Sequence, residues 1–128
     1  MALTLTPHDL VVEAKSQIKE VSAADAQALI GKRVMLDVRE PEEFAAGHLP
    51  GAINIPRGLL EFKIGMVPPL AAPTTSILVY CRTSGRAALS AVQLQKLGYN
   101  DVVSMAGGFD VWSAEGRPTE KPAPVNFE

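Results

Sequence analysis

The sequence predicts an α/β fold, a small parallel sheet of about five strands flanked by helices. Two observations predict it. Short, nearly all-apolar runs alternate with segments of helical period along the 128 residues, and a strand buried on both faces has that composition. In addition, the residues able to do chemistry follow directly on those runs, where an open parallel sheet forms its site, beyond the carboxyl ends of its strands.

Residues 8–18 read as a helix, with Val11, Val12, Ala14 and Ile18 at helical spacing and Pro7 at the start. Residues 1–17 are thus expected to form an N-terminal helical extension. A short strand follows over Ile18–Val21. Ser22 then caps a helix with Asp25 in its first turn and Gly31 behind Ile30. Val34–Val38 is a buried-strand run. Pro41–Ala46 is a short helix begun by proline and followed by Gly47. Ala52–Ile55 is a strand set off by Pro50-Gly51 and Pro56. Residues 58–65 form a helical turn, and Val67–Thr75, with three prolines, a loop. Ile77–Tyr80 is a strand leading to Cys81. The helix over 85–97 carries Ala87, Ala91, Leu94 and Leu97 on one stripe and ends at Gly98. Val102–Ser104 is the last strand, Gly107-Gly108 a tight turn and Phe109–Ala114 a short helix. The tail over 119–128, with Pro122 and Pro124, is expected to be extended and partly mobile.

Composition narrows the function. A net charge of −2 gives no basic field for nucleic acid. One cysteine can form neither an internal disulfide nor a multi-cysteine zinc site. The amino terminus lacks the basic and apolar regions of a signal peptide, and the longest apolar run falls far short of a membrane span. A cytoplasmic protein is expected, with no metal and no organic cofactor.

The single cysteine is the informative residue. Cys81 ends a buried strand and opens a turn, Arg82-Thr83-Ser84-Gly85-Arg86, into a helix. This position is expected to expose the thiol. Free N–H groups of a helix start, the helix dipole and two arginines all favour negative charge there, and the thiolate is the nucleophile. Thr83, Ser84 and Gly85 can supply an N–H cradle for an anion. Arg82 is expected to attract an anionic substrate, and Arg86 to tie the loop or touch the ligand. Arg57 is a candidate mouth residue. Asp37 and Arg39 read as structural support at a strand end, and His48 as a hydrogen-bonded turn residue. Trp112 and Phe109 read as core. Asp37–Arg39, Arg57, the Cys81 loop and Gly107-Gly108 are all expected at one sheet edge.

Three segments together resemble the rhodanese family of sulfurtransferases. Leu36-Asp37-Val38-Arg39-Glu40-Pro41-Glu42-Glu43-Phe44 through His48-Leu49-Pro50-Gly51-Ala52-Ile53-Asn54-Ile55-Pro56 is similar to its N-terminal signature. Cys81 to Arg86 is similar to its active-site loop. Met105-Ala106-Gly107-Gly108-Phe109-Asp110-Val111-Trp112 with Gly116-Arg117-Pro118 is similar to its C-terminal signature. The resemblance spans about residues 18–118 and implies a rhodanese-like domain there. It implies transfer of a sulfane sulfur through a persulfide on Cys81. The donor would be thiosulfate, a polysulfide, a low-molecular-weight persulfide or a partner protein's persulfide, and the acceptor cyanide or a thiol. Two other functions are weighed against this one. A cysteine phosphatase or arsenate reductase also uses a Cys-to-Arg loop, but only four residues separate Cys81 from Arg86, where the phosphatase loop has five. A non-catalytic or carrier interaction module is the other, and the intact cysteine loop argues against it.

Overall fold

The computed structural model describes residues 3–122. Five short strands carry the architecture: β1 (Lys19–Val21), β2 (Val34–Asp37), β3 (Ile53–Asn54), β4 (Ile77–Tyr80) and β5 (Val102–Met105). They form one sheet in the order β1-β5-β4-β2-β3, with every pairing parallel. Around it lie α1 (Pro7–Lys15), α2 (Ala23–Ala28), α3 (Pro41–Ala46), α4 (Leu60–Lys63), α5 (Gly85–Leu97) and α6 (Gly108–Ala114). The predicted α/β class and parallel sheet are what the chain adopts.

Alternation along the strand run through β4 shows why that run is apolar throughout. Ile77, Val79 and Cys81 pack into one core cluster with Leu36, Leu60, Ala87, Ala91 and Leu94. Leu78 and Tyr80 pack into the other, with Ala26, Met35, Leu49, Met105 and Trp112. Both faces of the sheet are covered, so neither set of alternate residues meets water. No helix among the described residues is long and apolar enough to cross a membrane.

Local departures from expectation have local causes. The first helix stops at Lys15 rather than residue 18, because Ser16 caps it and its Oγ bonds the Glu13 carbonyl at 2.6 Å. Its start is set by a reciprocal cap: Thr6 Oγ1 accepts from the Asp9 N–H, and Asp9 accepts from the Thr6 N–H. The helix packs against α5 and buries Ala14. Leu97 leaves the buried stripe of α5 and is half-exposed at the helix end. The proline-rich stretch 67–75 contains a turn of 3₁₀ helix, Pro68–Leu70, which buries Leu70. The segment after α6 is fastened as far as Glu120. Trp112 Nε1 donates to the Pro118 carbonyl at 2.8 Å, and Glu120 and His48 exchange backbone bonds of 2.9 and 2.8 Å. Of the extended tail expected over 119–128, residues 123–128 lie outside the described residues.

Candidate active site

Parallel strands put four connecting segments at the same carboxyl edge. Cys81 follows β4, and the first turn of α5 begins at Gly85. The Ala87 N–H donates to Cys81 Sγ at 3.3 Å. The thiol is thus held by a free amide of the helix start, two residues beyond the stretch expected to supply the cradle. It is also more enclosed than its position at a strand end suggested: Cys81 is 1% exposed and belongs to the core cluster beneath α5. The strand continues straight into the core before the turn begins, so the sulfur sits under the loop and not at its crest.

The loop is fixed from outside by α6. Phe109 N–H donates to the Cys81 carbonyl at 2.9 Å and Asp110 N–H to the Arg82 carbonyl at 3.0 Å. Two amides of one helix start therefore bind two carbonyls of the sulfur loop. Only glycine allows this approach. A Cβ on Gly108 would stand 2.1 Å from the Thr83 oxygen, and φ there is +59°. On the other side, Val11 of α1 covers Gly85, with its Cγ2 3.3 Å from where a Cβ would be. The glycine at 85 accommodates α1.

Asp37 and Arg39 form a buried ion pair. Arg39 Nε lies 3.0 and 3.1 Å from the two Asp37 oxygens, and its terminal nitrogen donates to Asp37 Oδ2 and to the Gly47 carbonyl, both at 2.7 Å. The guanidinium lies 4.3 Å from the centre of the Phe109 ring. Asn54 Nδ2 donates to the carbonyls of Asp37 and Arg39. A desolvated ion pair is costly unless its remaining polar valences are met, and here they are. One guanidinium thereby joins β2, the end of α3 and α6. Tyr80, buried beside it, accepts from the Leu49 N–H at 3.1 Å, and burial and the nearby Asp37 carboxylate push its phenol well above the usual range.

The three exposed-side arginines each meet a carboxylate. Arg86 forks onto Glu43 of α3, with N···O distances of 2.8 and 3.1 Å, so it ties the loop to α3 and not to the loop's own carbonyls. Arg82 is two-thirds exposed and lies 3.4 Å from Asp110. Arg57 joins the edge through its backbone, donating to the Val38 carbonyl, while its side chain pairs with Glu61 at 2.8 Å. His48 behaves as a structural group: its Nδ1 bonds the Phe44 carbonyl at 3.0 Å and its ring stacks on Phe44.

Residues 22–115 match the rhodanese-like domain. The chain belongs to the rhodanese family. This rhodanese domain is 34% identical over 108 residues to thiosulfate sulfurtransferase 16 of Arabidopsis thaliana, covering 78% of this chain and 89% of that protein. It is 26% identical over 113 residues to a sulfurtransferase of Allochromatium vinosum, covering 88% of this chain and 98% of that one. Among solved structures, it superposes with a TM-score of 0.83 on a Rhodopseudomonas palustris protein of unknown function, described as a possible tyrosine phosphatase. The two share 33% identity, covering 94% and 98% of the two chains. The human single-domain sulfurtransferase superposes at 0.68 with 28% identity, covering 75% and 96%. The relatives make this rhodanese domain a member of a sulfurtransferase group.

Reading the sequence of this rhodanese domain did not single out Glu43, Asn54 or Asp110. Glu43 had a usable signal, since it falls three residues after Glu40 at a proline-started helix, and its Oε1 accepts from the Glu40 N–H at 3.0 Å. The Arg86 guanidinium holds the Glu43 carboxyl at about 2, from an ordinary 4.5, against burial, which raises it; the Glu40 N–H lowers it further. A carboxylate depressed in the folded state contributes stability above its unfolded value and loses it as pH falls toward the folded one. The pair is a quarter to a third exposed, so solvent screening leaves about 1–2 kcal/mol of the full shift. Glu43→Gln is therefore expected to destabilise the protein at neutral pH and to flatten its stability loss on acidification. Urea unfolding from about pH 6 down to about pH 3 checks this. A variant that loses as much stability over that range as the wild type would show that the pair carries none of the acid sensitivity.

Proposed function

We propose that the chain is a sulfurtransferase in which Cys81 carries a sulfane sulfur as a persulfide. The domain is placed at residues 18–118, with 1–17 as a helical extension and 119–128 as a tail. The observation that carries the reading is the placement of Cys81 Sγ under a helix start, 3.3 Å from the Ala87 N–H, in a loop locked from outside by α6. A soft sulfur anion needs such donors and little else. The names of the relatives, sulfurtransferase and thiosulfate sulfurtransferase, support the same chemistry.

In the first half-reaction the Cys81 thiolate attacks the outer sulfur of the donor. The sulfur–sulfur bond of the donor breaks, its electron pair leaves with sulfite or a thiolate, and Cys81–S–S⁻ remains. In the second, cyanide or a thiolate takes the outer sulfur and the Cys81 thiolate returns. In this reading Thr83, Ser84 and Gly85 offer backbone N–H groups to the transferred sulfur, beside the Ala87 N–H that reaches Sγ. Arg82, Arg86 and Arg57 frame the entry, and Asp37 and Arg39 hold the edge in shape. Donors of this class include thiosulfate, polysulfide, low-molecular-weight persulfides and a partner protein's persulfide. Both half-reactions balance without a metal or an organic cofactor. Intact-protein mass spectrometry tests the reading. Incubation with a sulfane donor should add about 32 Da, one sulfur atom, located on Cys81 and released as thiocyanate by cyanide. A chain that gains no mass from thiosulfate or from a persulfide is not a sulfurtransferase.

A phosphatase reading draws on the description of the R. palustris neighbour. Two features weigh against it. The loop has four residues between Cys81 and Arg86, and both terminal nitrogens of Arg86 are engaged by Glu43, leaving no fork for a phosphoryl group. Turnover of p-nitrophenyl phosphate would reverse that judgement.

A further inference from the structure

The arginines at the entry do not make it a cationic funnel. Arg57, Arg82 and Arg86 are paired with Glu61, Asp110 and Glu43, from three different stretches of chain. Arg39 is spent on Asp37 and buried. Over residues 37–43, 57–63, 81–86 and 107–110, which follow the strands at this edge, five arginines and lysines face six carboxylates. Glu40 and Glu42 are the carboxylates of that group outside the ion pairs, and Lys63 is the cation. A small dianion arriving at Cys81 therefore meets side-chain charges that nearly cancel, leaving the amides of the α5 start as the attraction, where the sequence had suggested two free arginines as well. Electrostatic preference is set by this summed field and not by a count of arginines.

We propose that this site takes its sulfur from a carbon-bound persulfide, R–S–SH, in preference to a small dianion such as thiosulfate, and that Asp110 sets the preference by neutralising Arg82. The inference rests on the sulfurtransferase reading above and narrows its donor class. Arg82 is the most exposed of the entry arginines, at 66%, and so the one best placed to meet an incoming anion. Asp110 reaches it from α6, and its backbone N–H also bonds the Arg82 carbonyl. The helix that locks the loop thus also delivers the counter-charge. A persulfide needs less from the entry. Its carrier can be uncharged, so it brings at most one negative charge where thiosulfate brings two, and depends less on an attractive field for its approach. Its reaction balances without further reagents. The Cys81 thiolate attacks the outer sulfur, one sulfur–sulfur bond forms as another breaks, and R–S⁻ leaves with the electron pair while the proton stays on the transferred sulfur.

Asp110 acts through Arg82, so its test needs readouts that a structural role would not move. Steady-state rates are measured on the full chain with thiosulfate and with the persulfide of β-mercaptoethanol, whose carrier is uncharged, at low and high salt. For the wild type, kcat/KM should be at least about tenfold higher for the persulfide. Asp110→Asn keeps the backbone bond and the side-chain shape. It should raise the ratio of thiosulfate to persulfide kcat/KM by about three- to tenfold, through KM for thiosulfate. The gain should disappear near ~1 M salt, where the screening length falls to about 3 Å. A wild type that prefers thiosulfate, an unchanged ratio in Asp110→Asn, or a gain insensitive to salt would each overturn the inference while leaving the sulfurtransferase reading intact. Failure of both donors to load Cys81 would overturn both.

Discussion

Cys81→Ser is expected to abolish sulfur transfer and leave the fold in place. The chain has one cysteine, and no other side chain can hold a sulfane sulfur at this edge. The hydroxyl is a poor match to that task but a good match to the space. It can still accept the Ala87 N–H that now reaches Sγ at 3.3 Å, so no buried donor is orphaned. The cost of placing a hydroxyl in this core pocket should be about 1 kcal/mol or less. Activity should fall by at least about a thousandfold, equivalent to ~4 kcal/mol of transition-state stabilisation. Thiocyanate formation and a thermal melt, run side by side, separate the two quantities. Residual activity above roughly a hundredth of wild type in a well-folded variant would mean that the sulfur travels by another route.

The second large effect is expected at a residue that touches no substrate. Gly108→Ala would drive a methyl group to 2.1 Å from the Thr83 oxygen and 2.6 Å from the Arg82 carbonyl carbon and oxygen, at a φ of +59°. Backbone atoms cannot swing aside as a side-chain tip can. Either α6 retreats or the loop does, and the bonds from Phe109 and Asp110 to the Cys81 and Arg82 carbonyls break with it. A left-handed alanine and a lost loop contact together predict a loss of about 2–4 kcal/mol. Displacing the sulfur by even ~1 Å should cost about a hundredfold in kcat. Gly58→Ala is the matched control, since a Cβ there meets nothing within 4 Å and φ lies outside the positive range. If the two substitutions changed stability and kcat alike, the locking of the loop by α6 would not matter to the reaction.

Much of the fold could be read from the chain because the inner strands β2, β4 and β5 are short, largely apolar and flanked by glycine or proline, whereas the edge strand β1 carries the exposed Lys19 and Glu20. The run ending at Cys81 is the best case. Its two faces feed two separate cores, and nothing but a central parallel strand suits that composition. Helix ends were less legible. The stop at Lys15 depends on a serine that caps a carbonyl, a signal too common in sequences to carry weight alone. At the candidate site, the strand-to-helix turn at Cys81 and the closeness of Asp37 and Arg39 were readable as local patterns. Their partners were not. Glu43 lies far from Arg86 in sequence, and Asp110 far from Arg82. Ion pairs of that kind are decided by which elements the topology brings together, and a single sequence holds no record of them. The burial of Cys81 was missed for a related reason. A strand end looks open in one dimension, while the cover over it comes from α5.

The contact between Val11 and Gly85 has a practical side. Protein engineers treat the amino terminus of a small domain as a handle for affinity tags, cleavage scars and fusion partners. In this chain the handle is connected to the machinery. The Thr6–Asp9 cap fixes where α1 begins, α1 carries Val11, and Val11 rests on the first residue of the helix that holds the sulfur. A scar that rewrites Thr6 or adds bulk before Pro7 is therefore a change to the support under the Cys81 loop.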